Sequence, residues 1–178
     1  MVVKIILCVC VACIIGLIAF QFIDPNLNSN NNNTTLVDDP NRLSIGISGE
    51  VSKPGDYVFD SSPTMEDLIG AAGGITTNGD DRCFYYEAKI EANKSYYIPP
   101  KYDNSNICSN DPIEKVNINT ASKEELMTIS GFGEALSTSV ISYREENGTF
   151  YTLEDLMNVD GIGNAKFNTC KNYIILHD

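Results

Sequence analysis

Two short glycine-rich turns are the part of this sequence best suited to binding chemistry. The turns are Gly131-Phe132-Gly133 and Gly161-Ile162-Gly163. A turn of this kind at the start of a helix presents backbone N–H groups that have no intrahelical acceptor, and the positive end of the helix dipole favours an oxyanion there. Glycine also allows positive φ angles and close approach to the backbone. We therefore consider phosphate binding at both turns, with a purely turn-shaping role as the alternative.

The two turns belong to one sequence unit that occurs twice, with an offset of thirty residues. Each copy begins with a hydroxyl residue followed three positions later by an acid, Ser122 with Glu125 and Thr152 with Asp155. This spacing is typical of a capping box at a helix start. A short helix, the glycine turn and a longer helix are predicted to follow in each copy. The repeat therefore predicts a compact all-α domain over residues 115–178.

The residues after the turns differ in charge between the two copies. The first turn is followed by Glu134 and Ala135, and the second by Asn164, Ala165 and Lys166. Because a phosphate is repelled by Glu134 and attracted by Lys166, the second turn is predicted to be the better phosphate site. The candidate phosphate-binding residues are Gly131, Phe132, Gly133, Glu134, Ala135, Gly161, Ile162, Gly163, Asn164, Ala165 and Lys166.

Most other conspicuous side chains of the repeat have an ordinary structural interpretation. Arg144 and Lys171 are predicted to be surface charges without a special role. The residues predicted to form the core are Leu126, Leu156, Phe132, Ile162, Tyr143 and Tyr173.

Residues 44–101 have the pattern of a small α+β domain. Apolar and polar positions alternate on both sides of a Lys53-Pro54-Gly55 turn, which predicts a β-hairpin. A capping box at Thr64 predicts a helix that ends before two glycines. Residues 84–90 and 95–98 are predicted to be two further strands.

The N-terminal region is predicted to be a membrane anchor. Residues 5–23 contain no charge, and nineteen helical residues would reach about 28 Å, close to the thickness of a hydrocarbon core. A cleaved signal peptide and a lipid anchor at Cys13 are the weaker alternatives. Lys4 favours a cytoplasmic N-terminus, with the remaining chain outside the cell. Residues 1–23 are thus the predicted transmembrane anchor, and residues 24–43 and 102–114 are predicted linkers.

Cysteine and histidine usage gives no sign of a metal site or an active site. Of the three cysteines beyond the anchor, Cys83 and Cys108 could pair, and free thiols are the equal alternative. The sequence outside the anchor has no Cys-x-x-Cys pair, and its only histidine is His177. Nor does it contain a nucleophile elbow or a P-loop. We predict no catalytic residues, no metal, no cofactor and no enzymatic activity.

Longer stretches of the sequence resemble two known modules. VNINTASKEELMTISGFG, YREENGTF and DGIG, within residues 115–177, resemble the tandem helix-hairpin-helix motif. ISGEVSKPGDYVF, DLIGAAGGIT and SYYIPP, within residues 45–100, resemble the soluble ligand-binding β-grasp (SLBB) module. The order of anchor, SLBB-type domain and tandem helix-hairpin-helix domain resembles the ComEA family of competence DNA receptors.

This resemblance carries expectations about fold, partners and location. It implies a four-helix (HhH)2 bundle with pseudo-twofold symmetry, whose two loops contact adjacent phosphates of double-stranded DNA. It implies a non-enzymatic receptor in the cell membrane, single-pass, with extracellular domains that capture DNA for natural transformation. Further partners implied are proteins of the DNA-uptake channel or pilus, and the SLBB-type domain is expected to serve spacing, self-association or partner contact.

The charge of the chain limits how DNA could be bound. The sequence has 24 acidic and 12 basic residues, a net charge of −12, which argues against binding driven by the overall field. Contacts to DNA must then be directed hydrogen bonds. The alternative function is a surface module that binds a protein, a wall component or a carbohydrate and no DNA.

Overall fold

The computed structural model describes residues 42–103, here called the sheet module, and residues 111–178, the helical module. The anchor predicted at residues 1–23 lies outside this part of the chain. Among the helices of the two described ranges, none is long and apolar enough to cross a bilayer.

The sheet module is built on three strands, β1 (Leu43–Gly49), β2 (Gly55–Phe59) and β3 (Ser95–Ile98), in the order β2-β1-β3. β1 and β2 are antiparallel, with Ile45 opposite Tyr57, which confirms the predicted hairpin. β1 and β3 run parallel, with Ile47 opposite Tyr96. Ile45 and Ile47 are buried because alternate residues of a strand face the same side, here the core.

Helix α1 (Met65–Ala71) covers the sheet and begins with the predicted capping box between Thr64 and Asp67. The strand predicted over residues 84–90 is wrong, because this segment is irregular. Its carbonyl groups have another use: those of Ala88 and Tyr86 accept the N–H groups of Met65 and Glu66. The segment thereby satisfies the first turn of α1 instead of joining the sheet.

The helical module contains the predicted repeat, with both capping boxes present. Its elements are α2 (Lys123–Leu126), α3 (Glu134–Asn147), a 3₁₀ helix (Leu153–Asn158), α4 (Asn164–Cys170) and a 3₁₀ turn (Lys171–Tyr173). α4 ends earlier than the pattern predicted, and Tyr173 is 44% exposed, so its assignment to the core was wrong.

A two-residue parallel pairing closes the helical module, a feature that the sequence did not predict. Strand β4 (Val116–Asn117) lies beside strand β5 (Ile174–Ile175). The segment just before the repeat and the segment at its end therefore lie side by side.

The two modules pack together within one compact unit, residues 41–178. Three of the contacts between them are the ones we call the module seam. The Asp80 carboxylate lies 2.8 Å from the Lys115 ammonium, with both side chains buried. The Leu176 N–H donates to the Arg82 carbonyl at 2.8 Å, and the Tyr97 N–H donates to Glu154 Oε1 at 2.8 Å. The linker boundaries predicted between the modules stay a prediction.

Candidate nucleic-acid interface

The first hairpin, residues 130–135, connects α2 to α3 through a tight turn. Phe132 N–H donates to the Ile129 carbonyl at 2.9 Å, and Gly131 adopts a left-handed φ of 87°. The first intrahelical bond of α3 runs from Ser137 N–H to the Gly133 carbonyl. The N–H groups of the residues between Gly133 and Ser137 therefore precede the hydrogen-bonded ladder.

The second hairpin, residues 160–166, repeats this geometry. Ile162 N–H donates to the Val159 carbonyl at 3.0 Å, and Gly161 has a φ of 90°. The first bond of α4 joins Phe167 N–H to the Gly163 carbonyl at 2.9 Å. The sequence repeat is thus a repeat of backbone conformation.

Helix capping distinguishes the two hairpins from the helical segments that follow Thr64, Ser122 and Thr152. The helical segments that follow Thr64, Ser122 and Thr152 each begin with a capping box that satisfies part of their first turn. Gly133 and Gly163 occupy the corresponding position of α3 and α4, and no side chain of the described residues caps either helix. The first turns of α3 and α4 can therefore accept an external oxyanion.

The glycines within each turn have two different backbone conformations, which the sequence did not distinguish. Only Gly131 and Gly161 are left-handed. Gly133 and Gly163 have φ of −105° and −96°, an extended conformation open to any residue. A Cβ atom at Gly133 or Gly163 would meet nothing within 4 Å. The backbone conformation and the surrounding space therefore do not require glycine at either position.

Side-chain burial divides the candidate contact residues into two groups. Phe132 and Ile162 are buried and fill the core beneath their turns, so their side chains are not available to a ligand. The exposed candidates are Gly131, Gly133, Glu134, Ala135, Gly161, Gly163, Asn164 and Ala165, and Lys166 is half-buried. Contact through these surfaces would use the backbone and the polar side chains alone.

Lys166 links the two hairpins, an arrangement that the sequence did not indicate. Its Nζ lies 3.4 Å from the carbonyl oxygen of Gly131 in the first hairpin. A Cβ atom built on Gly161 would lie 3.4 Å from Leu136 Cδ1, which also brings the second hairpin against α3. Lys166, which was predicted to bind phosphate at the second turn, therefore lies beside the first turn.

Glu134, the acid of the first hairpin, has a partner. Its Oε1 lies 2.7 Å from Lys123 Nζ, and the hydrogen bond and charge of this lysine lower the pKa of Glu134. The carboxylate is therefore ionised and held beside a cation. No sequence pattern paired the two residues, because eleven positions separate them.

Arg144 and Lys171 are not the unengaged surface charges that were predicted. The Arg144 guanidinium donates to the carbonyls of Ile118 and Ala121 at 2.7 and 2.8 Å, which fixes α3 to the segment before α2. Lys171 Nζ lies 3.9 Å from the ring centroid of Tyr97 in the sheet module. Both cations are therefore used within the chain.

The cysteines of the described residues are buried free thiols. Burial raises the pKa of Cys83 to about 12 and that of Cys170 to about 11. Both side chains are protonated at neutral pH and are poor nucleophiles. Cys108, the other half of the disulfide alternative, lies outside the described residues, and the structure supports the free-thiol alternative for Cys83. Within residues 42–103 and 111–178 no group of three metal-ligating side chains occurs.

Comparison with known proteins agrees with this geometry. The helix-hairpin-helix motif family matches residues 111–175, and the SLBB domain family matches residues 44–99. The chain is 33% identical over 156 residues to ComE operon protein 1 of Bacillus subtilis (strain 168), an alignment that covers 83% of this chain and 73% of that protein. The chain belongs to the ComEA family.

Other similarities to this ComEA-family chain are partial. It is 46% identical over 67 residues to the human endonuclease/exonuclease/phosphatase family domain-containing protein 1, but spans only 11% of that protein. It is 36% identical over 63 residues to an uncharacterized protein of Haemophilus influenzae, an alignment that covers 35% of this chain and 56% of that protein. The whole-protein activity suggested by the human relative's name is therefore not transferred to this chain.

Proposed function

We propose that this ComEA-family chain binds double-stranded DNA through the backbone N–H groups of its two hairpins. The observation that carries this proposal is the contrast in capping: α3 and α4 begin at exposed glycines without a side-chain cap, whereas the helical segments after Thr64, Ser122 and Thr152 begin with capping boxes. Lys166 of the second hairpin lies beside Gly131 of the first, so the uncapped starts of α3 and α4 lie near each other. Two neighbouring phosphates of one duplex require such an arrangement.

The energetic balance favours such contacts despite the acidic surface. A hydrogen bond to a charged acceptor contributes about 1.5–3 kcal/mol. A carboxylate about 10 Å from a phosphate opposes binding by only ~0.4 kcal/mol in water, and salt reduces this further. A few directed N–H bonds therefore outweigh several peripheral acids.

The mode of contact also sets the specificity. Bonds from backbone N–H groups to phosphate oxygens carry no information about the bases. The two ring-bearing or branched side chains of the turns, Phe132 and Ile162, are buried and do not reach a groove. Binding should therefore be indifferent to DNA sequence.

We further propose that the chain is a membrane-anchored, extracellular receptor for DNA uptake in natural transformation. The uncharged run at residues 5–23 and Lys4 before it support an anchor with a cytoplasmic N-terminus. Family membership supports the role in competence. Protease added to intact cells should digest the helical module and spare the N-terminus; protection of the helical module would contradict this orientation.

Duplex binding can be tested on the full-length chain with a labelled duplex of arbitrary sequence. Gly133→Val and Gly163→Val place a branched side chain where the phosphate should approach, and the Cβ atom at either position would meet nothing within 4 Å. Gly70→Val is the matched control, because a Cβ atom at Gly70 in α1 also points into open space.

The proposal expects weak, sequence-independent binding by the parent chain and lower affinity for both hairpin variants, with Gly70→Val unchanged. Equal affinity of all four proteins would place the DNA contact elsewhere. Absence of binding by the parent would favour the alternative, a surface module that recognises a protein or a wall component.

A further inference from the structure

Lys123 is the side chain that faces the acid on the first hairpin. Its Nζ lies 2.7 Å from Glu134 Oε1, and its own side chain is 34% exposed, while that of Glu134 is 76% exposed. The less exposed lysine thus approaches a carboxylate that stands at the first turn of α3. This carboxylate is the charge in the first hairpin that would most directly oppose a phosphate.

Comparison of the two repeat copies shows that the lysine accompanies the acid. Thirty positions after Lys123 is Leu153, which is buried, and thirty positions after Glu134 is Asn164. The copy that has Asn164 in place of an acid at the first position of its helix has an apolar residue where the other copy has the lysine. A general need of the fold for a cation at this position would not produce this difference.

A second cation lies at the same hairpin. Lys166 Nζ is 3.4 Å from the carbonyl oxygen of Gly131, and the position equivalent to Lys166 in the first copy is Leu136, which is buried. Each copy therefore contributes one lysine, and both lysines lie at the first hairpin.

We propose that Lys123 is a positioning residue for DNA binding, which neutralises Glu134 and holds its carboxylate to one side so that the N–H groups of α3 can receive a phosphate. This inference rests on the proposed function. It assigns to Lys123 no contact with DNA of its own. Its effect on affinity should therefore depend on the presence of Glu134.

Loss of the ion pair should leave the fold intact, because exposed pairs contribute little to stability. α2 retains its capping box between Ser122 and Glu125, and α3 retains the hydrogen bonds of Arg144 to Ile118 and Ala121. Circular dichroism and a thermal melt of each variant give a direct check of folding.

The test is a double-mutant cycle on the full-length chain, with duplex affinity measured at low salt. Lys123→Ala should weaken binding by about three- to fivefold, the effect of one unscreened charge about 5 Å from a phosphate in water. Glu134→Gln should bind at least as tightly as the parent. The double variant Lys123→Ala/Glu134→Gln should lie within about twofold of Glu134→Gln alone, and Lys123→Arg should retain the parent affinity.

Two outcomes would overturn the inference while leaving DNA binding in place. If Lys123→Ala costs the same affinity in the Glu134→Gln background as in the parent, Lys123 contacts phosphate independently of Glu134. If folded Lys123→Ala binds like the parent, Glu134 does not need neutralising. A parent chain that binds no duplex would overturn the proposed function and this inference together.

Discussion

Lys166 Nζ lies 3.4 Å from the carbonyl oxygen of Gly131, although 35 positions separate the two residues. The contact joins the second hairpin to the first and places a cation next to the α3 start. The two hairpins are therefore neighbours in the folded helical module.

Lys166→Ala should weaken duplex binding and reduce its dependence on salt. If Lys166 neutralises one phosphate, its loss should make the slope of log affinity against log salt less steep by about 0.9. For the parent chain we expect a slope of only about −2 to −4, because few cations take part. Lys89→Ala, an exposed lysine of the sheet module, is the control and should change neither quantity. Equal slopes for Lys166→Ala and the parent would exclude Lys166 from the DNA contact.

Alanine substitutions should separate the two glycines of the first hairpin by stability. Gly131→Ala forces a side chain into a left-handed conformation and should lower the free energy of unfolding by about 1–2 kcal/mol. Gly133→Ala, at a φ of −105°, should be neutral or slightly stabilising. Urea denaturation of both variants measures the difference. Equal midpoints would mean that Gly131 does not hold the left-handed turn.

The buried carboxyl group of Glu154 should make stability depend on pH. Burial raises its pKa to about 8, and hydrogen bonds from its own backbone and from the Tyr97 N–H only partly oppose this. The neighbouring charge of Asp155 acts in the same direction as burial, and that of Lys171 acts against it. The folded state then keeps a proton that the unfolded chain loses near pH 4.5, so stability should fall as pH rises from about 4.5 to about 8.

Glu154→Gln removes this titratable group, so the decline in stability between about pH 4.5 and about pH 8 should become smaller. Urea midpoints measured at about pH 5 and about pH 8, on either side of most of the titration, give the effect. Glu145→Gln, an exposed acid of α3, is the matched control and should follow the parent. A decline that persists unchanged in Glu154→Gln would assign the pH dependence to other groups.

The ion pair of the module seam should be sensitive to the loss of one partner. Asp80→Asn leaves the Lys115 ammonium buried without its carboxylate, which should cost about 3–5 kcal/mol of unfolding free energy. Lys101→Met, which breaks an exposed pair with Asp81, should cost less than about 1 kcal/mol. Denaturant titration compares the two. A small cost for Asp80→Asn would mean that solvent reaches Lys115.

The same pair predicts the behaviour at low pH. Burial alone would raise the pKa of Asp80, but hydrogen bonds from Arg82 and Lys115 and the charge of Lys115 outweigh burial and lower it to about 2. The stability that the pair provides is complete above pH 3.8, the ordinary pKa of the group, and should disappear as pH falls through about 2. The free energies of unfolding of the parent and of Asp80→Asn, measured at decreasing pH, should converge at the lowest pH. Separate curves there would contradict the assignment.

Local features of the fold could be predicted from the sequence, because they depend on residues a few positions apart. The capping boxes at Thr64, Ser122 and Thr152 and the hairpin of β1 and β2 are of this kind. Both hairpin turns followed from the repeat. Which glycine of each turn has positive φ could not be predicted, since spacing alone does not distinguish Gly131 from Gly133 or Gly161 from Gly163.

Features that depend on distant parts of the chain could not be predicted. The seam joins residues such as Tyr97 and Glu154 that are 57 positions apart, and no periodicity encodes such a pair. Residues 84–90 have the composition of a strand, but their carbonyls serve the start of α1. The positions of Lys123 and Lys166 at the first hairpin depend in the same way on how the two copies pack.

The module seam has a mechanical consequence if the helical module binds DNA as proposed. A load on bound DNA would enter the helical module at the hairpins, and the hydrogen bond from the Leu176 N–H to the Arg82 carbonyl would pass part of it to the sheet module. The module seam is an attachment in addition to the covalent chain, so the helical module is held to the sheet module by the seam as well as by the linker. Traction on the hairpins would then be carried to the sheet module by the fold as well as by the linker, and the DNA would stay at a set orientation to the sheet module.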